Sequence, residues 1–166
     1  LIRLKPQSFM YKMQLGGYRE VKIAVLGGGN GAHVMAADLS MAGHEVRWFE
    51  LPRFAENIKA AKEKGGVELD ARDFLGEEFV SSAGGKSGFA KVSKITMDIR
   101  EAVRGAQVLH INVPSFGQMT FVQEMVPYLE DGQTIIFHPD NFATLECAKF
   151  FRERGIKKNV TLAGTE

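Results

Sequence analysis

Short apolar runs alternate with longer amphipathic stretches along this chain. Val21-Lys22-Ile23-Ala24-Val25-Leu26 opens the series as a strand and breaks at Gly27-Gly28-Gly29-Asn30-Gly31. Ala32 to Gly43, rich in Ala, Met and Leu, predicts a helix with Gly43 as its stop. Glu45 to Phe49 predicts a second strand. Pro52 suits a first helical turn, and Arg53 to Lys64 predicts that helix, ended by Gly65-Gly66. Asp98 predicts the N-cap of a helix from Ile99 to Arg104, with Glu101 completing a capping box. Gln107 to Val113 is a mostly apolar strand of the buried parallel kind. A helix from Gly117 to Leu129, a strand from Gln133 to Phe137, a helix from Ala143 to Arg154 stopped by Gly155, and a strand from Val160 to Ala163 complete the series.

Strands that alternate with helices predict a parallel sheet covered on both faces. Right-handed crossovers then give an α/β, doubly wound sheet of Rossmann type with strand order 3-2-1-4-5-6. The stretch from Val67 to Lys94 breaks the rhythm, with turn clusters at Ser81-Ser82 and Gly84-Gly85-Lys86-Ser87-Gly88. It predicts a small insertion of one or two short strands with mobile loops, leading to the third strand near Val92 to Thr96. Gly84-Gly85-Lys86-Ser87 is not a phosphate loop, because Val80 stands where the first glycine of that motif belongs.

The glycine cluster carries the candidate chemistry. Gly27, Gly29 and Ala32 fill the three fixed places of the G-x-G-x-x-G/A dinucleotide fingerprint. Gly27 lets the chain leave the strand sharply, Gly29 leaves room for a pyrophosphate, and small Ala32 lets the helix pack closely. The helix that follows aims its free N–H groups and positive dipole end at the phosphates. Glu50, 21 positions beyond Gly29, ends the second strand, where an acid accepts from the adenosine ribose hydroxyls. A carboxylate there favours NAD, with NADP possible because Arg53 lies just beyond. The ligand crevice is expected between the loops at residues 27–31 and 113–118, where the strand order reverses.

Composition narrows the picture. Lys and Arg number 21 against 20 Asp and Glu, so net charge argues for neither nucleic acid nor an acidic membrane as partner. One cysteine, Cys147, excludes an internal disulfide, suits a cytoplasmic setting, and falls inside a helical pattern as a packed thiol. No apolar run reaches the ~18–20 residues that span a bilayer. Leu1 opens the chain, and residues 1–18 are expected to be irregular or vector-derived, leaving 19–166 as the dinucleotide-binding unit.

From about Val21 to Glu166 the chain resembles the N-terminal NAD(P)-binding domain of opine dehydrogenases, near the octopine dehydrogenase group. Glycerol-3-phosphate dehydrogenase and ketopantoate reductase cofactor domains are wider relatives. The resemblance rests on Lys22-Ile23-Ala24-Val25-Leu26-Gly27-Gly28-Gly29-Asn30-Gly31-Ala32-His33, Gly43-His44-Glu45-Val46, residues 95–103 and Asn112-Val113-Pro114-Ser115. It implies an enzyme that reduces the imine of a 2-oxo acid and an amino acid with hydride from NADH or NADPH. It further implies a pyrophosphate turn of Gly27, Gly28, Gly29, Asn30, Gly31 and Ala32, a ribose site at Glu50, and a nicotinamide-side loop of Val113, Pro114 and Ser115. Two positions depart from the family: Ala32 stands where Gly is common, and His138-Pro139-Asp140 where Asn-Pro-Gly is common. The family's substrate domain has no counterpart here. The expectation is therefore a chain either cut short or completed by a partner chain, inactive alone, with an apolar face able to pair two copies as a homodimer.

No catalytic residue is assigned from the sequence. His110 and His44 read as packed or edge residues and His33 as a support for the glycine turn, while His138, at a strand end, is best placed for chemistry. No spacing suggests a metal site or a general base with its orienting acid. Two other readings stand beside the enzyme: a non-enzymatic dinucleotide sensor, and an S-adenosylmethionine-binding domain. The latter favours an acid two residues before the first glycine, where this chain has Val25.

Overall fold

The computed structural model describes residues 20–70, 72 and 87–165. Six strands form one parallel sheet: β1 (Lys22–Leu26), β2 (Glu45–Phe49), β5 (Lys94–Thr96), β6 (Val108–Asn112), β7 (Thr134–His138) and β8 (Thr161–Gly164). Their order is β5-β2-β1-β6-β7-β8, the predicted 3-2-1-4-5-6. A separate antiparallel hairpin, β3 (Gly66–Leu69) with β4 (Gly88–Lys91), is the expected insertion. The turn clusters at residues 81–86 lie outside the described residues.

Alternation along each strand divides the core. In β1, Ile23 and Val25 go to one face with Val46, Trp48 and Ala32 and Ala36 of helix α1 (Asn30–Met41). Ala24 and Leu26 go to the other face, with Leu109, Ile111, Ile135 and Phe137. That second face is covered by α3 (Ile99–Val103), α4 (Ser115–Met125) and α5 (Ala143–Glu153). Cys147 of α5 is fully buried there, and burial pushes its thiol up to about 12.

Three local expectations are corrected. The helix expected from Arg53 to Lys64 is instead a 3₁₀ segment, Pro52–Ile58, followed by α2, Lys59–Lys64. The tighter pitch seats Ile58 in the core and, with a kink at Phe54, returns Asn57 towards Glu50. The helix expected from Gly117 to Leu129 starts earlier, at Ser115, and gives way after Met125 to a 3₁₀ turn at Val126–Tyr128 around Pro127, which has no N–H to continue the ladder. The capping box forms by half. Asp98 accepts from the Arg100 N–H at 2.9 Å, but Glu101 bonds Thr96 and Lys94 instead of reaching back. The Asp98 N–H donates to Thr96 Oγ1, so its usual partner in the box is displaced.

Candidate functional site

The site is built where β1 and β6 diverge at their C-terminal ends. Gly27 adopts φ +125°, and a Cβ there would lie 2.5 Å from the Asn112 carbonyl oxygen, so only glycine lets the turn pass so close to β6. Its own carbonyl accepts from the buried Trp48 Nε1 at 2.6 Å, which ties the turn to β2. Gly29 is the N-cap of α1 and has extended backbone; a Cβ added to it would meet nothing within 4 Å. The α1 N–H groups of Asn30, Gly31 and Ala32 make no bond within the described residues, and the first turn holds no acid to compete for them. His33 returns its Nδ1 to the Gly29 carbonyl at 3.0 Å and sets its ring edge-on to Trp48, which holds the turn from below.

Glu50 lies just past β2 and is 3% exposed. Its Oε1 accepts from the Leu51 N–H at 2.7 Å and its Oε2 from Asn57 Nδ2 at 3.2 Å. Between the glycine turn, Glu50 and the start of α4 lies a cleft of about 340 Å³. Gly28, Gly29, Glu50, Val113 and Pro114 line it together, with Arg53, Phe54 and Asn57 from the 3₁₀ segment. Asn30 and Gly31 face a second, largely apolar groove beside α1, shared with Val34, Met35 and His110. Ala32 is fully buried and acts through packing. Ser115 is exposed, its Oγ accepting from Asn141 Nδ2 at 2.8 Å, so it links the loops after β6 and β7.

Sequence reasoning missed two features. Asn57 gave no signal beyond a polar position in a helix. The sequence presents His110 and His138 as separate residues, yet Nδ1 of His110 lies 2.8 Å from Nε2 of His138. Their ring centroids are 5.1 Å apart, so the rings meet end to end rather than stack. His138 Nδ1 continues the chain to Thr165 Oγ1 at 3.1 Å. Burial, and secondarily the neighbouring His138, pull His110 down to about 4; burial also lowers His138. Both rings are therefore neutral near neutral pH, one donating and one accepting. A signal was present, since the two residues occupy positions of like parity in adjacent strands.

No family model matches the chain. An opine dehydrogenase of Arthrobacter sp. (strain 1C) is 32% identical over 143 residues, covering 86% of this chain and 36% of that protein. An octopine dehydrogenase of Pecten maximus is 35% identical over 121 residues, 72% of this chain and 29% of that protein. A structure of octopine dehydrogenase in complex with NADH and agmatine superposes with a TM-score of 0.70 at 26% identity, covering 86% of this chain and 34% of that one. A ketopantoate reductase from Ralstonia eutropha JMP134, 22% identical with a TM-score of 0.57, shares the fold. The chain thus spans about a third of the length of the curated relatives it matches. Over 86% of its own length it is homologous to the NAD-binding region of opine and octopine dehydrogenases.

Proposed function

We propose that residues 19–166 bind a nicotinamide dinucleotide as the cofactor unit of an oxidoreductase of opine dehydrogenase type. One observation carries the reading: the glycine turn, the buried Glu50 and the Val113–Pro114 loop converge on a single cleft at the switch point of the sheet. The residues present fit the cofactor. Open space at Gly29 and three α1 N-terminal N–H groups without a partner among the described residues suit a pyrophosphate. The Glu50 carboxylate suits the adenosine ribose, and Val113 and Pro114 the nicotinamide side. When bound, the dinucleotide supplies the hydride; the residues of this chain hold and orient it and exclude water from one side.

NAD is the cofactor proposed over NADP, because a buried carboxylate accepts from a 2′-hydroxyl and repels a 2′-phosphate. The similarity to opine and octopine dehydrogenases favours, as the proposed substrate, an imine between an amino acid and a 2-oxo acid. The groups that position that imine are proposed to come from a further domain or partner chain, since the homology covers a third of those enzymes.

Calorimetry with NADH, NADPH and S-adenosylmethionine tests the reading. NADH should bind tightest, and Glu50→Ala should weaken it by ~1.5–3 kcal/mol, the range for a hydrogen bond to a charged group. Binding of S-adenosylmethionine in place of NADH would overturn it.

A further inference from the structure

Gly28 occupies a variable place of the fingerprint, where any residue is nominally allowed, yet the space its Cβ would fill is already taken. A Cβ there would lie 2.5 Å from Glu50 Oε2 and 2.8 Å from the Asn57 Cβ. Turn, acid and amide are thus in mutual contact. The two carboxylate oxygens are held differently. Oε1 is tied to the backbone by the adjacent Leu51 N–H, whereas among the described residues the side-chain amide of Asn57 is the group that holds Oε2. Asn57 is itself solvent-exposed, with buried Ile58 anchoring the segment behind it. Its contribution to the core is small, and its position is explained by what it holds. The same 3₁₀ segment carries Arg53, the one cationic residue lining the cleft among the described residues, with its guanidinium 5.0 Å above the Phe54 ring.

We propose that Asn57 is a specificity-determining, positioning residue. Its amide pins the Glu50 carboxylate against Gly28, facing the adenosine ribose, and so sets the preference for a 2′-hydroxyl over a 2′-phosphate. The inference rests on the dinucleotide reading above. Without the amide, Oε2 loses its protein donor and the carboxylate turns about its side-chain torsions towards water. The ribose then loses a fixed acceptor, while a 2′-phosphate meets less repulsion and has Arg53 within the same cleft.

The test is calorimetry of the full chain with NADH and NADPH for the parent, Asn57→Ala and the shape-conserving Asn57→Leu, each also in a Glu50→Gln background. Thermal melting and Trp48 emission report the fold. Both single variants should bind NADH about tenfold more weakly, the effect of about one hydrogen bond to a charged group, and NADPH no more weakly than the parent. Melting temperature should barely move. In the Glu50→Gln background the same substitutions should leave the NADH to NADPH ratio unchanged, because Asn57 acts through the carboxylate. A parallel loss of both cofactors would make Asn57 merely structural and overturn the proposal. An equal shift in ratio in both backgrounds would mean direct recognition and overturn it too. A parent that binds neither cofactor would instead sink the dinucleotide reading, and this inference with it.

Discussion

Acidification should weaken this fold before its carboxylates begin to titrate, because of the joined rings of His110 and His138. Both are neutral in the folded chain, and burial first, then the facing His138, pulls His110 from 6.5 to about 4. In the unfolded chain His110 regains an ordinary value of about 6.5. Between these two values the unfolded state binds the extra proton, so stability rises with pH across that window. The contribution is fully present above about pH 6.5 and is lost as pH falls towards 4. By pH 5 the unfolded chain has gained about 2 kcal/mol from this one group and the folded chain almost nothing. For a chain of this size that corresponds to roughly 4–8 °C in melting temperature. His138, also lowered by burial, adds a smaller effect of the same sign. Urea unfolding at about pH 7.5 and about pH 5 measures the quantity, with His110→Gln as the comparison that keeps a polar group but removes the titration. The parent should lose about 2 kcal/mol more than His110→Gln on acidification. Equal losses, to within the ~0.5 kcal/mol scatter of neutral substitutions, would show that His110 binds its proton alike in both states and refute the reasoning.

The two key glycines should separate stability from binding. Gly29→Val has room for its Cβ and an extended backbone, so stability should fall by only the ~1 kcal/mol of a poorer N-cap, while NADH binding disappears; retained binding in calorimetry would unseat the phosphate cradle. Gly27→Ala combines a positive φ with a Cβ 2.5 Å from backbone oxygen, so it should cost about 3 kcal/mol or more and be visible in urea midpoints. Cys147, fully buried with its thiol raised to about 12, should react with a thiol reagent only at the rate of unfolding; labelling in native buffer as fast as in denaturant would contradict its placement.

The sequence by itself determined the sheet, its strand order, the glycine turn and the acid at the end of β2. These follow from periodicity and from residues whose demands are local: Gly27 for a positive φ, a small Ala32 on the buried face of the helix, Gly43 as its stop. The strand runs are short and apolar, and the crossover rule leaves few ways to order them. What only the tertiary structure decided are the partners of polar side chains. The Arg53–Lys64 segment has helical composition, but burying Ile58 while bonding Asn57 to Glu50 requires a 3₁₀ start. Glu101 sits at capping-box spacing, yet Thr96 and Lys94, brought alongside by the short β5–α3 connection, claim its carboxylate. His110 and His138 are 28 residues apart, and their union depends on the register of β6 against β7. Periodicity tells a residue which face it joins. Which neighbour it meets there is set by register, crossover and helix pitch, and these emerge only when the elements pack.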